Sequence, residues 1–187
     1  MLNILGISGS LRWQSTNSVI LDTLAENLGQ RVRLTAHLLD AVPLYDQDLD
    51  TDTPPAGVAA LRAAIHSADA LIVASPEYNH GMPGVLKNAI DWASRPYGRS
   101  SLIGKPVLSI TSSPGALGGV RAQAQLNDTF LSTQSRVLAR PQAVIPFVMD
   151  KIRDGRLVDA STLEFLLAAV DDLIAAVPAS SALSRAA

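Results

Sequence analysis

Residues 69–93 read Asp69-Ala70-Leu71-Ile72-Val73-Ala74, then Ser75-Pro76-Glu77-Tyr78-Asn79-His80-Gly81-Met82-Pro83-Gly84, then Val85-Leu86-Lys87-Asn88-Ala89-Ile90-Asp91-Trp92-Ala93. Ala70 to Ala74 is apolar throughout, which suits a strand buried on both faces rather than one with a wet side. Pro76 holds Ser75 extended and turns the chain away from the strand. Pro83 can open a helix, and Val85, Leu86, Ala89, Ile90 and Ala93 recur at helical spacing along one face. A strand, a turn-rich loop and a helix in close succession form the repeating half of a parallel sheet covered by helices.

The same alternation holds toward both ends of the chain. Leu2 to Ser8 predicts the first strand, and the helix from about Asn17 carries Ile20, Leu21, Leu24 and Leu28 on one face. Arg31 to Leu38 predicts a second strand, and Asp40 to Pro55 an acidic, turn-rich surface loop. Thr53-Pro54 has the form of a cap followed by a first-turn proline, with Val58, Leu61 and Ile65 as the buried face of the helix it opens. Lys105 to Thr111 predicts a strand, Gly119 to Ser132 a helix, and Arg136 to Ile145 a weaker strand. Pro141 places that last strand at an edge, because proline cannot complete a central ladder. Ser161-Thr162-Leu163-Glu164 has capping-box form before an amphipathic helix carrying Leu163, Leu166, Leu167, Val170 and Ile174. The count is five strands and five helices in one domain over residues 1–178, with 179–187 as a flexible tail.

Composition narrows the function. The 187 residues are 48% hydrophobic and 17% charged, which fits one globular domain and not a disordered chain. Fifteen basic residues, scattered and outnumbered by seventeen acidic ones for a net charge of -2, give no electrostatic case for nucleic acid. The chain has no cysteine, so disulfides and thiolate chemistry are excluded, and no metal site is expected. No apolar run approaches the ~20 residues of a membrane span, and the first residues lack a signal-peptide pattern. The expected location is the cytoplasm.

Right-handed crossovers make a doubly wound sheet the natural assembly, and ligands of such sheets sit beyond the carboxyl ends of the strands. Three loops leave those ends. The first, Ser8-Gly9-Ser10-Leu11-Arg12-Trp13-Gln14-Ser15-Thr16-Asn17, offers four hydroxyls, one guanidinium and a helix start. Free amides at a helix start, reinforced by the dipole, hold anions. Ser15, Thr16 or Asn17 could instead simply cap the helix; capping accounts for one of them and leaves the rest, which phosphate binding uses. Walker A and G-x-G-x-x-G patterns are both absent, so a terminal phosphomonoester fits better than ATP or a dinucleotide. In the second loop, Asn79, His80 and Gly81 favour a tight turn. Its backbone N–H and C=O groups suit the edge of a planar heterocycle, with Tyr78 beside it. His80 is the candidate general base, but an exposed histidine beside glycine is more commonly a turn residue. The third loop, Thr111 to Gly119, has glycines that either admit a ligand close to the backbone or serve a plain turn.

Three motifs together, Ser10-Leu11-Arg12-x-x-Ser15-x-Asn17, Pro76-Glu77-Tyr78-Asn79-x-Gly81-x-Pro83-Gly84-x-Leu86-Lys87-Asn88-Ala89-Ile90-Asp91-Trp92 and Gly118-Gly119-x-Arg121, resemble the NADPH-dependent FMN reductase family from about Leu2 to Pro146. The resemblance implies an α/β flavodoxin-like three-layer sandwich, a five-stranded parallel sheet in the order 2-1-3-4-5. It also implies non-covalent FMN, with NADPH or NADH as electron donor. Ser10, Arg12, Ser15, Thr16 and Asn17 would hold the phosphate, with Ser8 at the start of their loop. Pro76, Glu77, Tyr78, Asn79 and Gly81, with His80 among them, would line the isoalloxazine, and Ser112, Ser113 and Gly115 would close its other side. The implied activity is ping-pong reduction of a small-molecule acceptor such as a quinone, azo compound, chromate or free flavin, with no catalytic side chain, because the flavin carries the chemistry. The implied assembly is a homodimer or homotetramer, through the helix holding Lys87 to Trp92 and the one from Arg121. The alternatives are a flavodoxin-type electron carrier, which the weak acidity fits poorly, and a regulatory module with the fold alone.

Overall fold

The computed structural model describes residues 1–178; the expected tail, 179–187, lies outside the described residues. Six helices and eight strands follow in order: β1 (Leu2–Ser8), α1 (Thr16–Asn27), β2 (Val32–His37), α2 (Ala56–Ser67), β3 (Ala70–Pro76), α3 (Gly84–Ala93), β4 (Pro106–Ser112), α4 (Val120–Ser132), β5 (Arg136–Val137), β6 (Ala143–Ile145), α5 (Val148–Lys151), β7 (Ile152–Arg153), β8 (Arg156–Leu157) and α6 (Ala160–Ala175). The main sheet is parallel, in the order β2-β1-β3-β4-β5, with β6 also paired to β4. This is the flavodoxin-like order that the sequence implied.

Alternation along the strands sorts the core into two layers. Leu5, Ile7, Leu71, Val73 and Val107 face α2, α3 and α4, where Val58, Leu61, Ile65, Leu86, Ala89, Leu126 and Phe130 meet them. Ile4, Ala70, Ile72, Ala74, Leu108 and Ile110 face Ile20, Leu21 and Leu24 of α1 and Leu166, Ala169, Val170 and Leu173 of α6. Each large aliphatic side chain so buried contributes about 1.5–3 kcal/mol of apolar transfer energy. That burial is why Ala70 to Ala74 of β3 are apolar without interruption.

Four expectations change. The fifth strand is two strands, because β5 pairs with Pro106 and Val107, β6 with Ile110 to Ser112, and beyond Leu138, whose amide still donates to Val107 O, the residues around Pro141 leave the ladder. Helix α2 starts at Ala56 and not at Thr53-Pro54: Pro55 is still extended at ψ 143° and stands as its N-cap without a side-chain bond. Helix α6 is capped by Asp159, whose carboxylate accepts from the Thr162 amide, so Ser161 lies inside the helix rather than at its cap. The short helix α5 and the antiparallel pair β7–β8 were not expected. Asp154 and Gly155 turn that hairpin at φ 48° and 74°, the Asp-Gly composition of a two-residue hairpin loop. The hairpin docks on α1 through the Leu157 amide to Thr23 Oγ1 at 3.1 Å and through Arg156 to both oxygens of Glu26.

The register brings the loops together. Ser8 stands opposite Ala74, Pro76 opposite Ser112, and Ser112 opposite Ile145. The winding reverses between β1 and β3, so the three loops of interest open side by side at the switch point.

Candidate functional site

The first loop leaves β1 pressed against its neighbour. The Gly9 amide donates to Ala74 O at 2.8 Å, and a Cβ at Gly9 would stand 3.0 Å from both Leu86 Cδ2 and Ser75 Oγ. Part of the loop is committed to its own shape. Ser8 Oγ accepts from Ser18 Oγ at 3.2 Å and the Ser10 amide at 3.4 Å, and donates to Ser10 O at 3.3 Å. Buried Ser15 is the N-cap of α1, its Oγ accepting from the Asn17 amide at 3.2 Å. Asn17, also buried, accepts at Oδ1 from Ser112 Oγ at 3.1 Å, which ties the first loop to the end of β4.

What remains faces outward. The first turn of a helix leaves its amides without intrahelical acceptors, and with the Asn17 amide taken by Ser15, those of Thr16 and Ser18 have no protein acceptor among the described residues. Thr16 Oγ1 lies 3.3 Å from Ser112 Oγ, and Ser10 Oγ accepts from the Arg12 amide at 3.3 Å with its own hydrogen free to turn outward. Arg12 is exposed and folds over its own loop to donate to Gln14 O at 3.1 Å. No acidic residue stands in the first turn of α1. Two amides, two hydroxyls and one guanidinium with no opposing carboxylate form the donor set of a phosphate site.

The second loop is a hairpin-like turn. Tyr78 and Gly81 exchange both backbone bonds, at 2.9 and 3.0 Å, across Asn79 at φ 51° and His80 at φ 67°. Positive φ at both central residues is the type I′ form. Tyr78, Asn79 and His80 are exposed, and Pro76 and Gly81 half-buried. Glu77 behaves otherwise than a ring-lining residue would: its side chain is 12% exposed, and Oε2 accepts from the Arg121 and Ala122 amides at 2.9 and 3.1 Å. Its carboxylate thus caps α4, with Arg121 Nη1 3.9 Å from Oε1.

The third loop is laced to the segment after β6. Ser113 donates through its amide to Ile145 O at 3.1 Å and accepts at its carbonyl from Val148 at 3.1 Å; Gly115 N bonds Ser113 Oγ at 3.1 Å, and Phe147 N bonds Gly115 O at 3.3 Å. Gly118 and Gly119 carry φ 58° and 91°, and a Cβ on Gly118 would meet Val144 Cγ1 at 2.5 Å and Pro146 N at 2.8 Å. Ser112 is buried, Ser113 half-buried and Gly115 exposed.

Two residues near the site lay outside the sequence expectations. Gln125 of α4 accepts the Met82 amide at Oε1, 2.6 Å away, at the exit of the second loop. Phe147, half-exposed and left-handed at φ 51°, stands on the rim of the third loop. Neither carried a local signal, since each reaches the loops only through the folded register.

Comparison with known proteins gives the chain's relatives. The model of the NADPH-dependent FMN reductase family matches residues 2–150. A quinone reductase of Pseudomonas putida is 34% identical over 165 residues, covering 88% of this chain and 89% of that one. An NAD(P)H-dependent FMN reductase of Pseudomonas aeruginosa is 37% identical over 166 residues, with the same coverage. Among solved structures, the flavoenzyme NAD(P)H:(acceptor) oxidoreductase FerB of Paracoccus denitrificans superimposes with a TM-score of 0.84 at 36% identity, covering 95% of this chain and 97% of that one.

Proposed function

The chain belongs to the NADPH-dependent FMN reductase family and is an FMN-dependent NAD(P)H oxidoreductase, and from that premise we propose where its cofactor is held and which acceptors it serves. The FMN phosphate sits on the start of α1, the ring beside the Tyr78–Gly81 turn, and small quinone-class oxidants take the electrons.

One observation carries this placement. The start of α4 is neutralised by the Glu77 carboxylate, whereas the start of α1 keeps the Thr16 and Ser18 amides, the Ser10 and Thr16 hydroxyls and Arg12. A phosphate dianion is favoured at an open helix start and repelled where a carboxylate already stands. Bound there, FMN would supply the two-electron chemistry that side chains lack. The protein's share is binding and orientation. Arg12 balances charge, the backbone of residues 79–81 faces the ring edge, Tyr78 gives an aromatic flank, and Ser113 to Gly115 close the far side. The buried pair Asn17 and Ser112 fixes the distance between the first and third loops. Quinones are favoured among acceptors because the relatives named above include a quinone reductase.

Titration of apoprotein with FMN, followed by bleaching of the visible spectrum with NADPH or NADH under anaerobic conditions and recovery on adding a benzoquinone, tests this reading. Steady-state velocities should give parallel double-reciprocal lines, because one binding face serves donor and acceptor in turn. Protein that leaves FMN unbound at saturating concentration refutes the assignment.

A further inference from the structure

We propose that Glu77 is a positioning residue: its carboxylate fastens the entrance of the second loop to the start of α4, and the turn that faces the ring keeps its shape only while that fastening holds. The inference rests on the placement of FMN given above.

The second loop is short and its tip is exposed, so its own two backbone bonds between Tyr78 and Gly81 are all that close it. A two-residue turn standing alone is marginal in water. Both flanks of this one, however, are tied to the same helix. At the entrance, Glu77 Oε2 takes the Arg121 and Ala122 amides. At the exit, Gln125 Oε1 takes the Met82 amide at 2.6 Å. The two anchors stand one helical turn apart within the first turns of α4.

The glycines around these anchors fit the same purpose. A Cβ on Gly119, the N-cap of α4, would lie 2.9 Å from Thr111 Cβ and 3.6 Å from Glu77 Cβ, so its absence lets the helix start close onto the second loop. A Cβ on Gly81 would lie 2.8 Å from Gln125 Oε1. Because Gly118 is packed flush on Val144 and Pro146, the start of α4 is also the end of the third loop. Glu77 therefore joins the second loop to the third, and those loops bracket the ring. An acid is suited to this place because two amides at a helix start together favour a negative acceptor.

Hydrogen exchange on the apoprotein, combined with FMN titration, tests the clamp in Glu77→Gln, Glu77→Ala and Glu77→Asp. The expected result is faster exchange at the Arg121 and Ala122 amides together with faster exchange at the Tyr78, Gly81 and Met82 amides. In Glu77→Ala the FMN dissociation constant should rise about tenfold, the scale of losing one charge-assisted contact. Glu77→Gln should fall between, and Glu77→Asp, which keeps the charge, should recover part of the affinity. Faster exchange confined to α4 would reduce Glu77 to a helix cap and overturn the proposal. Weaker FMN binding with an unaltered second loop would make Glu77 a direct contact and overturn it equally. If the wild-type chain binds no FMN, the placement of the cofactor fails, while the exchange arm still decides whether the clamp exists.

Discussion

The Arg12 guanidinium is bonded to a single carbonyl of its own loop and is otherwise in solvent. Its replacement by alanine should leave the thermal midpoint unchanged and weaken FMN by about 1.5–3 kcal/mol, the worth of a hydrogen bond to a charged group; flavin fluorescence quenching measures it. His80 makes the opposite case. It occupies the second central position of a type I′ turn at φ 67°, where glycine is the natural residue. His80→Gly should raise stability by about 1 kcal/mol, read from urea denaturation. If His80 serves only the turn, His80→Ala should change the rate of flavin reduction far less than the ~10²-fold that loss of a general acid or base costs. Among the residues picked from sequence, the types were legible and the directions were not. Ser15 and Asn17 are phosphate ligands on the family resemblance, with Ser8 at the start of their loop, and the side chains of all three are engaged in holding the loop. Glu77 was read as lining the ring because it sits in the motif; the partner that takes its carboxylate is forty-four residues away, a distance no local pattern spans.

At the scale of elements, period and punctuation located every layer-forming helix and each long strand within a few residues. The misplaced starts share a cause. In each case a local capping pattern stood within a few residues of the true start, and only the folded chain fixed that start, at extended Pro55 for one helix and at the Asp159 carboxylate for the other. That carboxylate is held well below the usual carboxylate range, first by the Thr162 hydroxyl, then by Lys151 and the Thr162 amide. A depressed carboxylate stabilises the fold above its unfolded value near ~4 and loses that contribution as pH falls below it. The difference in thermal midpoint between wild type and Asp159→Asn should therefore be present at pH 6 and shrink at pH 3. Gly118 belongs to the same scale, since it decides how the third loop meets α4. Gly118→Ala combines an unfavourable left-handed backbone with contacts of 2.5 Å to Val144 and 2.8 Å to Pro146. It should cost about 2–4 kcal/mol in denaturant unfolding.

For the molecule as a whole, the doubly wound class was the most legible feature, because apolar strands alternating with amphipathic helices leave few ways to assemble, while the strand order came with the family resemblance. Assembly between copies was not legible beyond naming α3 and α4. Those helices flank a hollow of about 290 Å³ that includes Lys87, Asp91 and Arg95, near which Tyr97 (84% exposed), Ile103 and Leu131 (60% exposed) leave apolar surface uncovered. On the reading that this face joins two copies, light scattering should give at least a dimer, and Leu131→Glu should shift it toward monomer. The break between β5 and β6 bears on the border of the sheet nearest α4. A foreign strand laid there would find two residues offering a ladder, then a gap containing Pro141, then three more. Such an interrupted margin is a poor template for cross-molecular sheet growth. Fibrillar extension, if it is ever forced on this protein by heat or acid, would have to begin at β2, whose six residues form the one long continuous margin that the described sheet leaves open.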